Sequence, residues 1–320
     1  MLNSRLVKKY LNLNRLNVKH NRKNIPFIIL VTITVVSGIL FLRNYTLYSI
    51  SSGSMENTIL IGDKVLVHSS CDYVSRGSIA VFHHDNNKNK SYIKRCVGLP
   101  SDTFIIRNGA ILCNNKIVEF PGQIKKRYKI WINNIHNFRS VLKQEQIRES
   151  NLDFLKKEDN TFVRLSLTKS TLSILQKSSS IDSIKYLKDE LDPSSIYLYP
   201  HNKLFQWTIH NFGPVVIPHK GMTIKLNPYN YALYKHTILN YEGHNIEHKN
   251  QLFFIDNEAI DRYTFKKDYY FFMGDNRNIS YDSRSLGFIP FDNIEGTASI
   301  ILYNTAEFKY DLHRICRSLN

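Results

Sequence analysis

The sequence predicts a mainly β protein: an antiparallel β-sheet body with an inserted α+β subdomain and one N-terminal transmembrane helix. Three observations lead there. An uncharged apolar run occupies 25–42, short β-branched runs alternate with Gly and Asn turn signals on either side of the middle of the chain, and the middle itself has a different texture.

The chain has 320 residues, enough for one large domain or two modest ones with a sizeable core. Lys and Arg number 43 against 27 Asp and Glu, a formal charge of +16. Arg5, Lys8, Lys9, Arg15, Lys19, Arg22 and Lys23 fall before Ile25, no acid occurs before Glu56, and the remaining excess is scattered. Scatter of this kind points away from a nucleic-acid groove, and the clustered part points to membrane lipids.

Residues 1–24 therefore read as a cytoplasmic basic segment, and 25–43 as a membrane anchor. As a helix, the run from Ile25 to Leu42 extends about 27 Å, close to the hydrocarbon thickness of a bilayer. It is longer than the apolar core of a cleavable signal peptide, and no A-x-A site follows it. The basic leader should stay in the cytoplasm, which sends the rest of the chain across. Eleven residues from Arg43 reach Ser54 and span at most about 38 Å, so the serine-rich stretch SISSGSM (49–55) is expected near the outer membrane surface.

Beyond the anchor, KVLVHSS (64–70) and SIAVFHH (78–84) read as strands, and Asn108-Gly109 between two apolar runs is a strong hairpin signal. Asp256-Asn257 is a second turn signal, dividing LFFI from EAIDRYTF. From 116 to 210 charge density rises, TLSILQKSSSIDSIKYLKDELDP reads as weakly helical, and Pro193 breaks the pattern; NFGPVVIPHKGMTIKL (211–226) returns to strand. The expected organisation is a β-rich catalytic domain from 44–115 and 211–306, an inserted subdomain at 116–210 and a tail at 307–320. Cys71, Cys96, Cys113 and Cys316 lack the spacing of a zinc cage, no HExxH occurs, and FHHD (82–85) reads as a strand end, so no metal or cofactor is expected.

Two stretches carry the chemistry. In SYIKRCVGLPSDTF (91–104), a strand places Tyr92, Lys94 and Cys96 on one face and Ile93, Arg95 and Val97 on the other. A lysine turned inward loses pKa by desolvation, by up to about 3–5 units when fully buried. An unperturbed lysine is only about 0.1% neutral near physiological pH, and a fall of two units makes it roughly a tenth neutral and usable as a base. The other stretch, YYFFMGDNRNISYDSRSLGFIPFDNIEGTAS (269–299), reads as an aromatic strand, a loop dense in Gly, Asp, Asn and Arg, and a further strand.

Taken with the serine stretch, these segments resemble the three boxes of the type I signal peptidases, membrane-anchored serine proteases with a Ser-Lys dyad. The serine box is Ser52-Gly53-Ser54-Met55-Glu56-Asn57-Thr58-Ile59, the lysine box runs from Tyr92 to Asp102, and the last box from Gly274 to Arg284. The match covers the anchor, 48–115 and 211–306, and says little of the middle. Departures from the family pattern are Ser51 and Asn57 in place of prolines, Ser101 in place of glycine and Ile279 in place of asparagine.

The resemblance implies Ser54 as nucleophile and Lys94 as general base, with Ser52 supporting the oxyanion hole and Ser280 orienting the lysine amine. It gives Arg95, Asp275, Asp282 and Arg284 structural roles near the site. The substrate groove is expected along Ile50, Met55, Leu60, Tyr92 and Ile93, binding an extended preprotein signal peptide as an added strand. The expected location is the bacterial inner membrane, single-pass, with the catalytic domain on the outer side. Two alternatives stay open on the residues alone: a basic membrane-anchored binding protein without catalysis, and a thiol hydrolase using Cys96.

Overall fold

A computed structural model describes residues 25–56, 58–69, 72–85, 89–120, 126–144, 153–157, 160–187, 198–305 and 315–319. The basic segment 1–24 lies outside them, as does most of the expected tail. Two units are distinguished, 1–45 and 46–320. The described part of the first is helix α1 (Ile25–Asn44), whose apolar side chains Phe27, Ile28, Leu30, Ile33 and Ile39 are all exposed. Among the described residues, which leave out the side chains of 25 and 40–42, no helix is long and apolar enough to cross a membrane.

The second unit is built of antiparallel sheet, as the β-branched runs lead one to expect. In chain order it begins with β1 (Tyr45–Ser49), β2 (Asp63–His68), β3 (Ile79–His83) and β4 (Ser91–Gly98), then β5 (Thr103–Arg107), β6 (Ala110–Cys113) and β7 (Lys116–Ile117). Asn108 and Gly109 sit between β5 and β6 with φ of 51° and 78°, the left-handed pair that closes a two-residue hairpin.

The middle forms β8 (Lys126–Ile132), α2 (Ile135–Gln144), β9 (Asp153–Lys157), β10 (Asn160–Leu167), α3 (Lys169–Leu175) and β11 (Ile181–Tyr186). Its strands make a separate sheet in the order β11-β8-β10-β9, and Ile130, Phe138, Leu142, Val163, Leu165 and Leu175 close a core of their own beneath α2 and α3. The stretch read as weakly helical divides: α3 ends at Leu175, and IDSIKY pairs with β8 instead. The flanks belong elsewhere. Lys116–Ile117 pairs with β6, while Tyr199, Phe205 and Trp207 pack into the core around Phe104.

The chain then continues through β12 (Phe212–Val216), β13 (Thr223–Lys225), α4 (Pro228–Tyr241), β14 (Ile246–Lys249), β15 (Leu252–Ile255), β16 (Glu258–Ala259) and β17 (Arg262–Thr264). The last elements are β18 (Tyr269–Met273), α5 (Ser283–Leu286), β19 (Ile289–Pro290), β20 (Ile294–Asn304) and β21 (Arg317–Ser318). Helix α4 stands within the segment expected as part of the β-rich domain, 211–306. Its aromatic and β-branched residues look like strand, but Asn227 caps it, accepting from Asn230 N–H at 2.8 Å, and Pro228 opens the first turn.

The principal sheet has the order β1-β2-β20-β3-β4-β18-β19, with β21 also pairing β20; its pairings from β2 to β19 are antiparallel. Residues from Lys94 to Gly98 on β4 are all buried, because apolar clusters cover both faces of the sheet: Met55, Ile59, Val65 and Ile79 in one cluster, Phe82, Cys96, Phe272 and Ile289 in another. A third and larger core joins β5, β12, β18 and α4 through Phe104, Phe212, Phe271 and Tyr234. Phe104 is fully buried with its ring centroid 4.5 Å from that of Phe271. Phe104→Ala is therefore expected to cost about 3–5 kcal/mol, read as a lowered urea midpoint with little change in slope.

Candidate active site

Register brings the two chemical stretches together. On β4, Lys94 pairs with Ala80 of β3, and Arg95 pairs with both Ile79 and, on the other side, Met273 of β18. The chain leaving β18 at Met273 is thereby delivered beside Arg95, so Gly274 and Asp275 arrive at the base of the lysine. Opposite them, Gly53–Met55 forms one short 3-10 turn that buries Ser54 and Met55.

Lys94 Nζ lies 2.8 Å from Ser54 Oγ, in hydrogen-bond contact, and donates to the Ile93 carbonyl at 2.9 Å. Lys94 is 4% exposed and Ser54 7%. Burial lowers the Lys94 pKa to about 8, against the pull of the Asp282 and Asp275 carboxylates, which raise it; Lys90 lowers it further. Ser52, exposed at the same turn, places its hydroxyl 3.3 Å from Ser54 Oγ.

Two buried arginines restrain those carboxylates. Arg95 grips Asp275 with Nε at 2.9 Å and Nη2 at 2.7 Å, and donates through Nη1 to the Gly77 carbonyl at 2.7 Å. Thr58 Oγ1 adds a 2.5 Å bond to Asp275. Arg284 holds Asp282 with Nε and Nη2, both at 2.9 Å, and Asp282 accepts from the Gly274 N–H at 3.0 Å. Burial would raise the Asp282 pKa, but Arg284 outweighs it and the carboxyl is held below its usual range.

Ser280 does not bond to the lysine. Its buried Oγ makes no hydrogen bond, though it sits near enough to Asp282 to help lower that carboxyl. Two residues passed over in the sequence complete the joint. Asn276 donates its backbone N–H to the Ser54 carbonyl at 3.0 Å and its Nδ2 to the Gly53 carbonyl at 3.2 Å. Gly274 permits this approach, since a Cβ there would stand 2.2 Å from Ser280 Oγ and 2.5 Å from the Ser54 carbonyl oxygen. Both residues lie in the last box; what they meet is set 220 residues away in sequence and is visible only in three dimensions.

The dyad opens onto a cleft of about 530 Å³ between 48–54 and 90–94, with Ile279 and Tyr281 on its rim. Of the expected groove residues, Ile50, Tyr92 and Ile93 line it. Met55 and Leu60 do not: Met55 is wholly buried in the core with Ile59 and Val65, and Leu60 lies among the half-buried residues outside the cleft. The 3-10 turn that presents Ser54 to the cleft directs its neighbour inward. Cys96 is fully buried and its thiol pKa is pushed far up by desolvation, which removes the thiol-hydrolase alternative.

A lysine amine kept out of water against a serine hydroxyl, at the edge of an open cleft on a β body, is the arrangement of a Ser-Lys hydrolase. The signal peptidase, peptidase S26 family model matches residues 22–177 and 213–303, and the chain belongs to that family. Among curated relatives, the signal peptidase I of Aquifex aeolicus (strain VF5) is 27% identical over 279 residues, 84% of this chain and 81% of that protein. The signal peptidase I of Buchnera aphidicola subsp. Schizaphis graminum (strain Sg) is 28% identical over 272 residues, covering 80% and 67%. Signal peptidase I U of Bacillus subtilis (strain 168) is 30% identical over 125 residues, 37% and 65%. The family is membrane-bound, and its substrates are preproteins.

Lowering the Lys94 pKa has a stability cost that can be measured. Its native pKa of about 8 lies below the ordinary 10.5, so the penalty is full below pH 8 and fades as pH rises towards 10.5. At pH 7 it is on the order of 3 kcal/mol. Lys94→Met is expected to raise Tm at pH 7, and the advantage over wild type should shrink between pH 8 and 10.5. In contrast, Asp275→Ala strands Arg95 and should cost about 3–5 kcal/mol in chemical denaturation.

Proposed function

We propose that this chain is a membrane-bound serine endopeptidase that removes N-terminal signal peptides from exported preproteins, with Ser54 as nucleophile and neutral Lys94 as general base. The observation that carries the reading is the 2.8 Å contact between a buried, pKa-lowered amine and a cleft-side hydroxyl.

The steps follow from that pair. Neutral Lys94 takes the Ser54 proton as Oγ attacks the scissile carbonyl. The tetrahedral oxyanion is received by the Ser54 N–H and the Ser52 hydroxyl, which lies at the mouth of the cleft; losing one such donor typically costs about 3–4 kcal/mol in the barrier. The Lys94 ammonium then returns its proton to the leaving amine, leaving an acyl ester on Ser54. Water, deprotonated by Lys94 again neutral, hydrolyses the ester and frees the signal-peptide carboxylate.

The cleft suits an extended chain. Its walls are the segment continuing from β1, at one edge of the principal sheet, and the first half of β4, so a peptide laid between them can pair with backbone on both sides. Ile50 and Ile93 supply apolar floor, fitting the small side chains of A-x-A sites. The continuous row of exposed apolar side chains on α1, uncharged from Ile25 to Leu42, supports an anchor reading. The basic segment before it would remain cytoplasmic and the catalytic body would stand on the outer face of the bacterial inner membrane, in contact with lipid and without nucleic-acid partners. The sheet and core of 126–186 support a subdomain inserted into the body formed by 44–115 and 211–306.

Lys94→Arg separates charge from proton transfer, because guanidinium stays protonated in proteins. In a detergent assay with a preprotein, Lys94→Arg and Ser54→Ala should both lose processing by at least about a thousandfold while retaining β-sheet circular dichroism. Wild-type kcat/KM should rise with pH with a midpoint near 8. Near-normal cleavage by Lys94→Arg would overturn the dyad.

A further inference from the structure

At the end of β3 the chain brings together His84, Asp85 and His236, the last from helix α4, none of them lining the cleft, with their ligand atoms all within 4.8 Å of one another. His84 Nδ1 is 3.1 Å from Asp85 Oδ2, and His236 Nε2 is 3.3 Å from Asp85 Oδ1. Ligands about 2.0–2.2 Å from a metal are separated by about 3.0 Å along an octahedral edge and about 3.3 Å along a tetrahedral one. The two contacts reach different oxygens of one carboxylate, and the three side chains are near enough to contribute to one coordination shell. We propose that His84, Asp85 and His236 form a structural site for a divalent transition cation of the Zn²⁺ class.

The hydrogen-bond partners of His84 leave room for a cation. Its Nε2 faces the Leu286 carbonyl at 3.0 Å, and a carbonyl only accepts, so that nitrogen carries the hydrogen. Its Nδ1 faces a carboxylate, which also only accepts. Either Nδ1 carries a second proton, or its lone pair and the carboxylate share a metal. The second arrangement is the one in which a ligating histidine is oriented by giving its other N–H to a backbone carbonyl. The imidazoles of His84 and His236 lie near each other, with ring centroids 5.4 Å apart and ring planes inclined by 11°.

The carboxylate between them is fixed in place. Asp85 adopts a left-handed φ of 52°, its N–H donates to Tyr241 Oη at 3.0 Å, its carbonyl accepts from Asn293 Nδ2 at 3.0 Å, and Asn240 Nδ2 reaches Oδ1 at 3.4 Å. The three ligands are half-buried, leaving an entry path from solvent. Two imidazoles and one carboxylate with room for water suit zinc and its neighbours rather than calcium or magnesium. A cation here would tie α4 to the β3 end and, through the Leu286 carbonyl, to α5, which carries Arg284.

The test uses the purified full chain in detergent, stripped with EDTA and titrated with Zn²⁺ by calorimetry and thermal unfolding. One equivalent should bind, with Tm rising by about 5 °C at a hundredfold excess over Kd. Co²⁺ should give the visible absorption of a nitrogen and oxygen site. H236Q and D85N should weaken binding at least about tenfold and at least halve the Tm rise at the same metal concentration, while still processing a preprotein. The wild-type titration decides even where a variant fails to fold. A wild-type Tm indifferent to metal, an equal response in both variants, or a Tm that moves only with pH through the histidine range would overturn the site, the last outcome identifying an imidazolium–carboxylate contact instead.

Discussion

The constraint on which the structure turns is that one amine must give up its proton easily next to two carboxylates. Asp275 and Asp282 both raise the pKa of Lys94, and left bare they would hold it protonated. Each carboxylate is instead spent on its own arginine, Arg95 and Arg284, in two-point buried pairs. Removal of the lysine from water then dominates. The arginines thus act on the amine by occupying its neighbours, and the apolar cover on both faces of β4 keeps it dry.

That arrangement explains why the last box is loop rather than strand. Asp275 must meet Arg95, Asn276 must meet the carbonyls of Gly53 and Ser54, and Asp282 must turn back to cap α5 and accept from Gly274. Three such demands within eight residues cannot be met by extended backbone. Gly274 is the position where the turn is tightest, because any side chain there would displace either Ser280 or the carbonyl of Ser54.

Much of this was legible in order and little of it in depth. The Asn108-Gly109 and Asp256-Asn257 hairpins were readable because two adjacent left-handed residues leave a local signature, and both pairs have positive φ. Lys94 and Ser54 were readable because their boxes are contiguous. Met55 was misplaced since a groove wall and a core residue have the same composition; only the 3-10 turn decides which way it points. Helix α4 was hidden by its tyrosines and isoleucine, although Asn227-Pro228 was a legible start. That Arg95 meets a carboxylate of the last box was expected from the sequence; that the carboxylate is Asp275 depends on the β4–β18 register, which no local pattern carries.

The His84 cluster obeys the same logic from the opposite side. FHHD reads as a strand end, and β3 does end at His83, so the local reading is sound as far as it goes. What it lacks is His236, 151 residues later, on a helix whose packing face is set by Leu233, Tyr234, Ile238 and Tyr241. Those apolar residues fix the rotation of α4 and so deliver the imidazole, while Tyr241 on that face also holds the Asp85 backbone. At the dyad, by contrast, the ammonium is destabilised by desolvation, with each nearby carboxylate already neutralised by an arginine. At His84, a carboxylate without an arginine faces two imidazoles at the surface, and that electrostatic imbalance is what a divalent ion would correct.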